Sequence, residues 1–174
     1  QKESTLYHEN GYYETVDLIA ADLFQLNQIN KPRLLNGGEI KDFFGNKIIL
    51  PDRFTSKYGI KKGDTITLQI KETYVSFEVA EIAAYDTVFL RHTRGTTALL
   101  PISTLTKLLG RTDGYSEILV KPAKNVSTRD LTNELKALLS DSYKVSQIVN
   151  EAQIKADARQ KSMPFFLISF FSLT

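Results

Sequence analysis

From Thr65 onward the chain alternates apolar and polar side chains with a period of two. Ile66, Leu68 and Ile70 fall on one face and Thr65, Thr67 and Gln69 on the other. That spacing predicts a half-buried strand. Lys71-Glu72 reverses it, and Val75, Phe77 and Val79 then alternate with Tyr74, Ser76 and Glu78 as an antiparallel partner. Just upstream, residues 47–50 form a short apolar strand that runs into Pro51. Proline suits the first turn of a helix, where its missing N–H costs nothing. The helix is expected over 51–58, with Gly59 as a left-handed cap and Lys62-Gly63-Asp64 as the turn beyond it. Val88-Phe89-Leu90 and residues 97–100 read as strands on either side of a reversal at Arg94-Gly95, followed by a helix over 102–109 closed by Gly110.

The flanks have a different texture. Residues 1–12 are polar and read as a frayed or incomplete start, and residues 15–21 as a largely apolar strand. Asp22 is placed to cap a short helix through Leu26, and Asn36-Gly37-Gly38 marks a turn. Further on, residues 115–120 read as a strand. Ser127 and Asp130 have capping-box spacing ahead of a stripe of Leu131, Leu135, Leu138 and Leu139. A further strand is expected over 143–148 and a last helix from about Asn150. No internal repeat is evident. The layout predicts an α+β fold with two lobes. Residues 37–110 make a β-rich lobe inserted into an α/β, membrane-proximal lobe built from 1–36 and 111–150. Residues 151–174 make a stalk helix and the start of a transmembrane segment.

That last assignment rests on residues 163–173, which carry no charge. Phe165, Phe166, Leu167, Ile168, Phe170, Phe171 and Leu173 cannot share one narrow helical stripe, so a helix here is apolar all round. A spanning helix needs about 20 apolar residues, roughly twice this run. The expectation is a membrane span cut at Thr174; a buried C-terminal helix or strand is the other reading. Lys155, Arg159 and Lys161 precede the run, and basic flanks usually mark the cytoplasmic side.

Charge and candidate chemistry narrow the function. A formal net charge of +2 gives no basic face for nucleic acid. The absence of cysteine removes disulfides, thiolate metal sites and thiol nucleophiles. The two histidines, His8 and His92, have no second ligand at helical or strand spacing, so no metal is expected. Arg91, His92 and Arg94 form a basic loop tip, either simply solvated or a contact for a partner. No glycine-rich phosphate cradle with its lysine and no Gly-x-Ser-x-Gly elbow is present. Asn125-Val126-Ser127 matches a glycosylation acceptor, but Ser127 already has a capping role. The expectation is a protein that is not an enzyme and binds no cofactor.

In their order along the chain, several features resemble the extracytoplasmic domain of MacB/FtsX-family ABC-transporter permeases. They begin with residues 15–22 and Leu34-Leu35-Asn36-Gly37-Gly38. Ile48-Ile49-Leu50-Pro51 then leads through Tyr58-Gly59-Ile60-Lys61-Lys62-Gly63-Asp64-Thr65-Ile66 to Val75, Phe77 and Val79. Ile118-Leu119-Val120, the capped helix, Val145 and a charged run into the apolar segment complete the order. The resemblance covers about 14–174 and implies a domain of a membrane protein on the extracytoplasmic side of the cell membrane. Its implied partners are an ATP-binding subunit, a second permease copy and a lipid, peptide or drug cargo. Two other functions remain open. One is a soluble binding module with an apolar docking tail. The other is an AbrB-like DNA-binding fold, which residues 49–66 also resemble over a short stretch.

Overall fold

Six strands curl into a closed barrel in a computed structural model that describes residues 2–9, 12–91, 95–110, 115, 117–139 and 143–145. The chain is α+β and divides into two compact units, Gln1–Lys121 and Pro122–Thr174. The strands are β1 (Lys2–Glu9), β2 (Tyr12–Ala21), β3 (Lys47–Pro51), β4 (Thr65–Ile70), β5 (Thr73–Ala83) and β6 (Thr96–Pro101). Helix α1 (Leu23–Asn30) follows β2, α2 (Asp52–Tyr58) follows β3, and α3 (Ile102–Leu109) follows β6. Around the barrel the order is β1-β2-β6-β3-β5-β4, closing back onto β1.

The pairing has an internal two-fold relation that the residue pattern does not reveal. Hairpin β1–β2 matches hairpin β4–β5: both are antiparallel, ending at Glu9 opposite Tyr12 and at Ile70 opposite Thr73. β2 runs parallel to β6 as β5 runs parallel to β3, with Ala21 opposite Pro101 and Ala83 opposite Pro51. The remaining two seams are antiparallel, β3 with β6 at Ile49–Leu99 and β1 with β4 at Tyr7–Leu68. Each half is therefore a hairpin, a connection, a strand and a helix. The matching sequence frames are Gly45-Asn46-Lys47-Ile48-Ile49-Leu50-Pro51 and Gly95-Thr96-Thr97-Ala98-Leu99-Leu100-Pro101. Only the glycine, one leucine and the proline coincide, too little to stand out as a repeat without the ladder.

Burial explains those shared positions. Val16, Leu18, Ile48, Leu50, Leu68, Phe77, Val79, Ala98 and Leu100 point into the barrel, with Phe54 of α2 and Leu105 of α3 closing onto them. On the outer face, Ile19, Ile49, Leu99 and Ala83 pack under Leu26 of α1 and under Leu34, Val88 and Phe89. β3 and β6 are covered on both faces, so they read as continuous apolar runs. Both following helices start directly after a proline and end on a glycine in the left-handed region, Gly59 and Gly110.

Several expectations differ from the structure. Residues 2–9 are a full strand, because closing a barrel offers backbone partners on both sides of a polar segment. Val88-Phe89-Leu90 lies in a 3-10 turn over Thr87–Arg91 rather than in a strand. A short apolar run has no period to separate the two, and burial of Val88 and Phe89 satisfies either. Glu117, Ile118, Leu119 and Val120 are not in a strand, and Ile118 and Val120 are exposed. Of the strand expected over 143–148, the described residues 143–145 are irregular. The expected lobe boundary near 36 also shifts: β2 is hydrogen-bonded into the same barrel as β3, β5 and β6, since the apolar 15–21 finds its parallel partner in β6.

The second unit contributes helix α4 (Thr128–Leu138), opened as expected by Ser127, whose Oγ accepts from the Asp130 N–H at 3.0 Å. None of its residues is buried. The last helix and the apolar residues 163–173 lie outside the described residues.

Candidate functional site

The alternation of β2 puts Glu14 in line with Val16, Leu18 and Ala20, the stripe that faces the barrel interior. A carboxylate on that stripe needs donors. It has three. Lys57 Nζ reaches Glu14 Oε2 at 2.5 Å and Tyr58 Oη reaches the same oxygen at 2.8 Å. Thr96 Oγ1 donates to Glu14 Oε1 at 2.9 Å. Burial pushes the Glu14 carboxyl up, but the hydrogen bonds from Lys57, Tyr58 and Thr96 together outweigh it and hold the group below its ordinary value. The hydrogen bond to Glu14 raises the Lys57 ammonium, while burial is the main cause that raises the Tyr58 hydroxyl. The Tyr58 ring is fixed in turn by Tyr7 and Phe54, with ring centres 4.9 Å away in both cases.

One helical turn earlier, Asp52 ties α2 to the segment after β5. Its Oδ1 accepts from the backbone N–H of Arg53 at 2.8 Å and of Tyr85 at 2.9 Å. The Arg53 guanidinium lies over the Tyr85 ring, 5.3 Å from its centre. Arg53 and Lys57, Tyr85, Tyr13, Glu14, Asp17 and Gly95 line an open cleft of about 610 Å³. Gly95 is required there: at φ +88° a Cβ would sit 2.5 Å from the Thr15 carbonyl oxygen.

The symmetry-related place in the barrel lacks this chemistry. Counting from the hairpin ends, Val75 takes the place of Glu14, and the matching frames put Asn46 where Thr96 stands. On the helices, Ser103 replaces Arg53 and Leu108 replaces Tyr58, while Lys107 keeps the lysine of position 57 without a carboxylate opposite it among the described residues. Val75 and Leu108 pack against the core. The fold is thus built without a polar network at the equivalent place.

No pattern in the sequence singles out this cluster, since Glu14, Lys57 and Thr96 are far apart along the chain. The one available clue is an acidic residue on the inward stripe of a strand. The residues that the sequence does single out are not brought into it. Arg91 ends the 3-10 turn, its side chain lies outside the described residues, and so do His92 and Arg94. Phe165, Phe166, Leu167, Ile168, Phe170, Phe171 and Leu173 are likewise outside. Among the described residues no helix is long and apolar enough to cross a membrane. Among them, too, no group of three or more histidines and carboxylates is placed to hold a metal ion.

The chain is similar to the periplasmic region of MacB. The solved chain is from Actinobacillus actinomycetemcomitans, with 17% identity over 91% of this chain and 73% of that one, at a TM-score of 0.42. A domain from Porphyromonas gingivalis described as part of a permease is also similar, with 16% identity and a TM-score of 0.39. There the match covers 79% of this chain and 58% of the other. No protein-family model matches the sequence, and no curated protein does.

Proposed function

We propose that the chain is the extracytoplasmic domain of an ABC-transporter permease subunit and carries out no chemical conversion itself. An ATP-binding subunit on the cytoplasmic side hydrolyses ATP and moves paired permease copies. The outer domains turn that motion into export of a cargo, extraction of lipid or lipoprotein, or a signal to envelope proteins. The observation that carries this reading is the order of features along the sequence, from residues 15–22 to the uncharged 163–173 that follow a charged stretch. The barrel suits a mechanical part. Its six strands are paired around a closed ring, with four long seams and the shorter β3–β6 and β1–β4 seams, which covers the sheet edges against unwanted pairing.

Single-cysteine labelling of the intact parent protein, with any cysteine outside this cysteine-free chain replaced, tests the reading. Ser56→Cys and Tyr74→Cys lie on exposed positions of the barrel unit. A membrane-impermeant maleimide should label both in unbroken cells. Ser169→Cys should stay unreactive until detergent is added. Labelling at 56 and 74 only after lysis would overturn the outward placement. Ready labelling at 169 in buffer, with the protein in the soluble fraction, would favour a binding module with a docking tail.

A further inference from the structure

The two-fold relation of the barrel separates what folding needs from what it does not. At the position equivalent to Glu14 and Tyr58, Val75 and Leu108 close the barrel with apolar contacts. The network of Glu14, Lys57, Tyr58 and Thr96, and the Arg53–Tyr85 pair beside it, draw on both halves and are additions at one of the two related places only. They line a cleft of about 610 Å³, within the range of small-molecule sites.

The two cationic side chains of that cleft, Arg53 and Lys57, differ in what already binds them. Both oxygens of Glu14 are occupied by donors, and Asp17 is buried and already engaged within the protein. Lys57 is committed to Glu14. The Arg53 guanidinium is exposed, and among the described residues no carboxylate pairs with it. Asp52 Oδ1 accepts from the backbone N–H of both Arg53 and Tyr85, and the guanidinium lies over the Tyr85 ring, 5.3 Å from its centre. A planar guanidinium fork beside aromatic side chains takes a planar anion through two parallel hydrogen bonds. Two nearby carboxylates, Glu14 and Asp17, disfavour a doubly charged phosphate and leave a monoanion.

We propose that this cleft binds a small carboxylate-bearing ligand. The carboxylate sits on the Arg53 guanidinium and the ligand's apolar body lies against the rings of Tyr13 and Tyr85. The site is a property of the barrel and stands apart from the transport reading.

The test is an NMR titration of the chain with N-acetylphenylalanine, and with its amide as the uncharged comparison. The amide signals of Tyr85 and Gly95 should shift with a dissociation constant on the order of 1 mM, in keeping with a ligand of this size. The uncharged amide should bind about tenfold more weakly or worse, because a charge-assisted pair is lost. Arg53→Gln should give the same loss. Arg53→Lys, which keeps the charge but not the fork, should lose roughly tenfold as well. Equal binding of acid and amide, no shift at roughly ten times the expected constant, or unchanged binding by Arg53→Lys would each overturn the proposal. The acid–amide comparison uses the unaltered chain, so it stands even where a variant folds poorly.

Discussion

The two halves of the barrel share a backbone plan and differ in what they place on it. Both halves run from a hairpin to a doubly buried strand, and from there through a proline into a short helix that a left-handed glycine ends. Leu50 and Leu100 are both fully buried at the end of that strand. Yet at one of the two related places Glu14 is bound by Lys57 and Tyr58 of its own half and by Thr96 of the other, where the second place has Val75 and Leu108 against the core. Apolar contacts are enough to seal a barrel end. A partly buried carboxylate with three donors does the same task at the cost of desolvation, and so marks where the molecule is specialised.

Removing a shared core side chain from each half puts the common plan under the most strain. Leu50→Ala and Leu100→Ala should each lower stability by about 2–5 kcal/mol, as large-to-small changes in a packed interior do. Chemical denaturation with a common slope checks it, and a large inequality between the two would contradict the symmetry of packing. The glycines that precede these strands should diverge. Gly95→Ala combines a positive φ with a Cβ clash on the Thr15 backbone and should cost about 2–4 kcal/mol. Gly45→Ala meets nothing within 4 Å, so only its positive φ matters, about 1 kcal/mol.

A smaller effect separates the halves through pH. The Glu14 carboxyl lies lower in the folded chain than its ordinary 4.5. Its contribution to stability is therefore fully present above about that pH and is lost as pH falls through the folded value. Glu14→Gln should destabilise the barrel by roughly 1 kcal/mol at neutral pH and much less at acid pH. Parallel denaturation curves from neutral to strongly acid buffer for the two proteins would show whether the gap closes. The smallest effect concerns the equivalent lysines. Lys107→Gln should leave the melting temperature unchanged, because it has no carboxylate partner among the described residues. Lys57→Gln should lower it slightly and weaken its dependence on pH, because Glu14 loses its ion pair.

Much of the local structure was legible in the residues themselves. Pro51 and Gly59 bound one helix and Gly110 ended another. The period-two run over 65–70 paired with the next strand across Lys71-Glu72, and Ser127 capped the helix from Thr128. These signals are local: a fixed φ, a missing N–H, a side-chain oxygen within reach of a free amide. Residues 2–9 gave no such signal, because a polar strand depends on partners supplied by β2 and β4. Val88 and Phe89 were recognisably buried but not recognisably non-strand.

Where period, proline and glycine agree, the residues alone settle which segments are strand or helix; they also set the α+β class and the apolar character of residues 163–173. Three things came only from the folded chain: β2 joins the same barrel as β6, the barrel is two-fold, and Glu14 meets Lys57, Tyr58 and Thr96. Those facts depend on contacts between residues far apart in the chain, which no local preference encodes. They arise when the closing ladder brings β2, β3 and β6 together and sets α2 beside them.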